Sequence, residues 1–164
     1  MMPPLAIRFA TPRDAETILR FVRGLAEYER WSSAVEATAA RFRAQMESAE
    51  PPFECLIAEY DAEAVAFALF FRNYSTWQGR PGMFLEDIFV REEFRGRGIG
   101  GALMARLGEI ARERGWSRIE WSVLDWNTPA QSFYREHGAQ PMDKWTTWRL
   151  EGDALAKLGR RSSH

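Results

Sequence analysis

The chain has little of what thiol, metal and nucleic-acid chemistry require. Among its 164 residues Cys55 is the one cysteine, and His137 and His164 are the two histidines. An internal disulfide is therefore impossible, and a single cysteine fits a reducing compartment. No His/Cys cluster has metal-ligand spacing, and no nucleophile elbow exists to host a Ser-His-Asp arrangement, so metal and serine chemistry are both disfavoured. Charge of one sign is also missing. Twenty-two Lys and Arg oppose 23 Asp and Glu for a formal net charge of −1, and the arginines alternate with glutamates along helix-like stretches. That distribution leaves no basic footprint for nucleic acid. No apolar run approaches the ~18 residues of a membrane span, and Met1-Met2-Pro3-Pro4 lacks the basic and apolar regions of a signal peptide, so a cytoplasmic chain without a membrane partner is expected. Nothing reads as a repeat, a low-complexity block or a linker. One domain over 1–164 is expected, with a polar, loose tail from about Gly152.

What is abundant is core material, 46% hydrophobic and 13% aromatic, enough for one substantial core. Leu5, Ile7 and Phe9 alternate as a first strand. Thr11-Pro12-Arg13-Asp14 has the cap residue, first-position proline and early acid that open a helix. That helix should run toward Glu29 with Ile18, Phe21, Val22 and Leu25 on one face. A second amphipathic helix is expected over 36–47, ended by Pro51-Pro52. Residues 54–60 and 64–72 read as a hairpin about Asp61-Ala62-Glu63, with Cys55 as a small core residue. Residues 84–90 form an apolar strand, and 118–124 alternate Ile119, Trp121 and Val123 as another. Thr128 and Pro129 open a short helix that His137 and Gly138 end. Residues 145–150 supply a last strand. The order β-α-α-β-β-β-α-β-α-β gives an α+β fold with a mixed sheet of six to seven strands.

The most informative segment is Arg95-Gly96-Arg97-Gly98-Ile99-Gly100-Gly101. It joins the strand-like run Phe84-Leu85-Glu86-Asp87-Ile88-Phe89-Val90 to a helix-like run in which Ile99, Leu103, Leu107 and Ile110 recur at helical spacing. Glycines ahead of a helix let backbone N–H groups approach a ligand, and the helix dipole favours an anion there. A plain flexible turn is one reading. A dinucleotide fingerprint is another, since Gly96, Gly98 and Gly101 fit G-x-G-x-x-G with Glu120 further on. However, about ninety residues precede the segment, where such a fingerprint would open the first βαβ unit. A nucleoside triphosphate loop is unsupported without Gly-Lys-Ser/Thr. The third reading is a pyrophosphate cradle for coenzyme A.

Arg95, Gly98 and Gly100 match Arg/Gln-x-x-Gly-x-Gly/Ala, so the chain resembles the GCN5-related N-acetyltransferase (GNAT) family, whose fold the α+β order fits. Leu85-Glu86-Asp87, Asp125-Trp126-Asn127 and Phe133-Tyr134 look more narrowly like its diamine acetyltransferases, the spermidine/spermine and thialysine enzymes. Residues 74–80 are similar to the thialysine branch. The resemblance implies acetyl-CoA as co-substrate, no metal, a homodimer, and direct transfer to a primary amine of a small molecule. It places the cofactor on Ile88, Phe89, Val90, Arg95, Gly96, Arg97, Gly98, Ile99, Gly100, Gly101, Asn127, Ala130 and Phe133. The pantetheine would pair with the strand 88–90 as an added strand does, with an N–H there facing the developing oxyanion. Arg95 and Arg97 add charge opposite phosphate or stay solvated, and Asn127 binds the cofactor or caps a helix.

The chemistry needs a proton acceptor, because an alkylamine, whose ordinary pKa is about 10.4, is protonated at neutral pH. The resemblance gives Glu86 that role through water, against a plain ion pair with Arg80 or Arg91. If alternation is regular, Asp87 points to the other strand face. Tyr134 matches the family's proton donor to the leaving thiolate, against an aromatic that merely covers a core. Tyr28, Glu29, Glu86 and Trp77 match the amine site, where an ammonium would meet negative charge and aromatic faces. The bland reading of Tyr28 and Glu29 is an ordinary helix end, and Trp77 also serves as loop packing. Where polyamine-preferring enzymes carry an acid two residues before this tryptophan, this chain has Ser75, which favours a smaller amine such as a lysine analogue. A catalytically weak acyl-CoA sensor, or an acetyltransferase for a protein N-terminus, would use the same cradle.

Overall fold

A computed structural model of the chain describes residues 4–161, so His164 lies outside the described residues. The chain forms two compact units divided between Leu124 and Asp125. In the first, β1 (Leu5–Phe9), β2 (Glu54–Tyr60), β3 (Glu63–Ser75), β4 (Arg80–Val90) and β5 (Ile119–Glu120) make one sheet in the order β1-β2-β3-β4-β5. The first four strands are antiparallel neighbours, and β5 joins β4 in parallel. Among the described residues five strands stand where six to seven were expected. Of residues 118–124 two are paired, and 145–150 are irregular.

Two faces of the sheet carry two clusters. Ile99, Leu103, Leu107 and Ile110 of α3 (Ile99–Glu113) fall on one stripe, as their spacing requires, and pack with Leu56, Phe70, Met83 and Leu85. Ile18 and Phe21 of α1 (Ala15–Tyr28) pack with Cys55, Ile57 and Phe67 in the second cluster. There Phe21 stacks on Phe67 at 5.3 Å. Each such fully buried side chain contributes about 1.5–3 kcal/mol of burial free energy. Cys55 is 3% exposed and its thiol is pushed up by burial. α2 (Ala39–Met46) is shorter than the expected 36–47, because Thr38 caps it by accepting from the Arg41 N–H at 3.1 Å.

Both ends of α1 are fixed locally. Thr11 precedes a 3-10 turn, Pro12–Asp14, that leads into the helix. Asp14 accepts from the Thr11 N–H at 2.7 Å and takes both Arg8 Nη atoms, at 2.9 and 2.8 Å. The Arg8 guanidinium holds the Asp14 carboxyl below the usual carboxylate range. At the other end Trp31 N–H bonds to the Ala26 carbonyl at 2.8 Å and Arg30 N–H to Glu27 at 3.0 Å, the two bonds of a Schellman close. Arg30 sits there at φ 61°, where an L side chain costs about 1–2 kcal/mol. Arg30→Gly is accordingly expected to stabilise the protein by about 1 kcal/mol, raising the melting temperature by roughly 3 °C. Calorimetry reads it, and an unchanged or lower value counts against the strain.

The second unit holds α4 (Thr128–Glu136) and α5 (Gly152–Arg160). α5 occupies the segment expected to be a loose tail. The cap of α4 lies one residue earlier than expected, on Asn127, whose Oδ1 accepts from the Ala130 N–H at 3.3 Å. No helix of the described residues is long and apolar enough to cross a membrane.

Candidate active site

The backbone of β4 decides where the acids point. Leu69 faces Asp87 and Phe70 faces Leu85 across the β3–β4 ladder, so Glu86 is an extra residue, a bulge. Met83 and Leu85 before it, and Ile88 and Val90 after it, all join the cluster under α3, while Phe89 joins the cluster under α1. Glu86 and Asp87 together absorb the shift in parity and fall toward the α1 side. The expectation that Asp87 would point away from Glu86 is thereby corrected: regular alternation fails at a bulge.

Glu86 is exposed and Asp87 half-buried. Burial, then the charges of Glu86 and Glu29, push the Asp87 carboxyl up to about 7. Burial also raises Glu29, which follows Tyr28 at the end of α1. Three carboxyls thus share one neighbourhood, with the Tyr28 ring beside it in sequence. Asp87 was not among the candidate residues. Its signal was legible, since an acid inside an apolar strand is costly unless it has a function, yet the resemblance gives that function to its neighbour and regular alternation turns Asp87 away.

Asp87 supports a prediction. With its folded value near 7 and its unfolded value near 3.8, the native state keeps a proton that the unfolded chain releases. The associated stability is present below about pH 4 and lost as pH rises through about 7. Asp87→Asn is expected to raise the melting temperature by about 3 °C or more at pH 8 and by less at pH 5. An equal gain at both values counts against a buried carboxyl there.

Beyond these acids the strand edge is open. β5 pairs with β4 at Met83 and Phe84 alone. Among the described residues, no strand of the sheet adjoins that edge from Leu85 to Val90. The strand then meets the glycine segment. Gly96 and Gly98 take φ 77° and 79°, and a Cβ on either would meet no atom within 4 Å. The first helical bond runs from the Ala102 N–H to the Gly98 carbonyl at 3.0 Å, so the N–H groups of Ile99, Gly100 and Gly101 lie outside the helical ladder. Left-handed backbone, clear space and a fifteen-residue helix behind it fit a bound phosphate. Arg97 lies over the Tyr60 and Phe94 rings at 5.2 and 5.1 Å. Arg95 donates from Nε to the Val90 carbonyl at 2.9 Å and lies over Tyr28 and Phe89.

One sequence candidate lies apart from these. Trp77, 88% exposed, is at the tip of the β3–β4 hairpin, about 20 Å from Glu86 by strand rise. In the same tip Ser75 is buried and accepts from the Gln78 N–H at 3.2 Å. Asn127, Ala130, Phe133 and Tyr134 belong to the second unit. There Tyr134 is half-buried on α4 with its ring 5.5 Å from Phe133. His137 ends that helix, one ring nitrogen 2.8 Å from the Phe133 carbonyl. Among the described residues no group of His, Cys, Asp or Glu could hold a metal ion.

The profile of the acetyltransferase (GNAT) family matches residues 19–139, which include both the carboxyl neighbourhood and the glycine segment. The chain belongs to the GNAT family. It is 37% identical over 163 residues to the thialysine N-epsilon-acetyltransferase of Bos taurus, covering 93% of this chain and 95% of that one. The Caenorhabditis elegans enzyme of the same name is 36% identical over 152 residues, with 90% and 92% covered. An integron cassette protein from the mobile metagenome of V. cholerae shares the fold, with a TM-score of 0.80 at 23% identity over 97% of this chain and 99% of that one. This GNAT protein is thus an acyltransferase of α+β fold, and acetyl-CoA is the co-substrate its family uses. The free strand edge and the open cradle fit that cofactor's two parts, a pantetheine that pairs with backbone and a pyrophosphate that needs N–H donors.

Proposed function

We propose that the protein transfers an acetyl group from acetyl-CoA to a primary amine of a small cationic molecule, a lysine analogue such as thialysine in preference to a polyamine. The observation that carries this reading is the placement of Glu29, Glu86 and Asp87 together, in front of an open strand edge that leads to the cradle. Negative charge in a half-buried recess draws an ammonium group, and the Tyr28 face adds to that attraction. Ser75 stands where the polyamine-preferring members of the family carry an acid two residues before the tryptophan, which supports a smaller amine. The names of the relatives with nearly full-length similarity agree with this substrate class.

Acetyl-CoA supplies the acetyl group as a thioester. The chain's part begins with the cradle, where N–H groups of residues 98–101 hold the phosphates, aided by Arg97. Backbone at 88–90 aligns the pantetheine, and an N–H there meets the oxygen that gains charge. Glu86, exposed to water, takes the ammonium proton through that water, and Asp87 beside it holds the cation. Tyr134 gives a proton to the departing sulfur, with Asn127, Ala130 and Phe133 on the cofactor side. Holding amine and thioester together supplies most of the rate without a covalent acetyl-enzyme. The reading includes a cytoplasmic homodimer that needs no metal, nucleic acid or membrane.

The test is release of free thiol from acetyl-CoA with thialysine, lysine, small diamines and polyamines. Turnover highest with thialysine or a small diamine supports the reading. Binding of acetyl-CoA with no turnover on any amine overturns it in favour of a sensor.

A further inference from the structure

We propose that Asn73 and Glu120 are positioning residues for the acetyl arm of the cofactor: their contact across Gly82 fastens β5 where it must stop for the strand edge beyond Phe84 to stay open. This rests on the reading that the pantetheine pairs with that edge. The backbone alone holds β5 weakly. Its ladder with β4 is two pairs long, Met83 with Ile119 and Phe84 with Glu120, supported by the Met83 N–H donated to the Arg118 carbonyl at 2.9 Å. A side-chain contact supplements it. Asn73 stands on β3 directly opposite Gly82 of β4. From there it donates from Nδ2 to Glu120 Oε1 at 3.3 Å, an oxygen that also lies 3.1 Å from Arg118 Nε. The contact thus passes over β4 from the strand on one side of it to the strand on the other.

Glycine is what leaves room for that crossing. A Cβ on Gly82 would come within 2.9 Å of Asn73 Oδ1 and 3.1 Å of the Arg118 carbonyl oxygen, so it would press on the contact and on the end of β5 together. Two residues further on, Phe84 stacks on Phe71 at 5.3 Å, which fixes β4 at the last pair of the ladder. Stability alone does not explain Asn73. Its Oδ1 is buried, and among the described residues no donor meets it, a cost that leucine, of similar size, would avoid. A side chain kept at such a cost has its value in what it places. What it places is the end of β5. Freed, that strand either extends its pairing toward Leu85 or leaves Phe84, and both shifts move the border of the slot along which the thioester is aimed.

The test compares Asn73→Leu, Glu120→Leu and the Asn73→Leu/Glu120→Leu pair in the whole chain. Steady-state kinetics with acetyl-CoA and amine, calorimetry with coenzyme A, and melting temperature are read for each. Each single variant is expected to lose about fivefold in kcat while coenzyme A affinity, set by the cradle, stays within about twofold of wild type. The double variant should lose less than about a further twofold, because the two side chains act through one contact. Asn73→Leu should melt no lower than wild type, since it removes the orphaned oxygen. Wild-type kcat in Asn73→Leu overturns the proposal whatever the melting temperature. Losses that multiply in the double variant overturn it too, as does a fall in coenzyme A affinity equal to the fall in kcat. A melting temperature lowered by more than about 5 °C in Asn73→Leu also counts against it, because the contact then holds the fold rather than the slot. If the wild-type protein acetylates no amine, the functional reading falls first and this inference with it. If it does and Asn73→Leu keeps wild-type kcat, only this inference falls.

Discussion

Gly98→Asp is expected to raise the dissociation constant for coenzyme A by about a hundredfold or more while leaving the fold intact. Gly98 sits at φ 79° with nothing within 4 Å of an added Cβ, so the protein itself has room for the side chain, and aspartate enters the left-handed region more readily than most residues. What the carboxylate would occupy is the space in front of the helix where an anion belongs. It adds a negative charge where the dipole and free N–H groups attract one, and it screens those N–H groups from the phosphates. Titration calorimetry on material with an unchanged melting profile reads the effect. Added salt should recover part of the loss, since charge repulsion is one of its two components. Unchanged affinity in the folded variant means that the phosphates bind elsewhere.

The second large effect is expected from Tyr134→Phe, a fall of at least about tenfold in kcat with coenzyme A affinity within roughly twofold of wild type. The substitution keeps the ring and its 5.5 Å contact with Phe133 and removes only the hydroxyl. The departing thiol has a pKa near 8.5, so it leaves without help once the solution is alkaline. The deficit of the variant should therefore shrink from pH 7 to pH 9. Equal rates at pH 7 would remove Tyr134 from proton donation, and a deficit independent of pH would assign it to binding.

How far the sequence could be read depended on whether a pattern carried its own stop signals. The β2–β3 hairpin was legible because Asp61 and Ala62 are flanked by apolar runs, and both take positive φ in the two-residue turn. α3 was legible from Ile99 to Glu113 because four apolar residues mark its stripe and Gly115 ends it at φ 69°. The strands expected at 118–124 and 145–150 rested on alternation alone. Alternation states which faces a segment prefers, not whether a neighbour exists to receive its N–H and carbonyl groups. β5 accordingly stops after Glu120, and Trp148 is 91% exposed on irregular backbone.

The site divides along the same line. The cradle was legible as chemistry because glycine is needed wherever the backbone turns left-handed next to a ligand. The partnership of Glu86 with Asp87 was not, since a bulge adds one residue without any residue type that announces it. The involvement of Arg95 with Tyr28 was equally hidden. A cation over a ring 67 residues away leaves no trace in local spacing.

The burial of Cys55 has a practical outcome at the bench. A colorimetric disulfide reagent added to the folded enzyme finds no accessible protein thiol, so every mole of colour formed during turnover comes from released coenzyme. The same reagent, with substrate withheld, turns yellow only as molecules open, which makes the lone sulfhydryl a built-in clock for global unfolding.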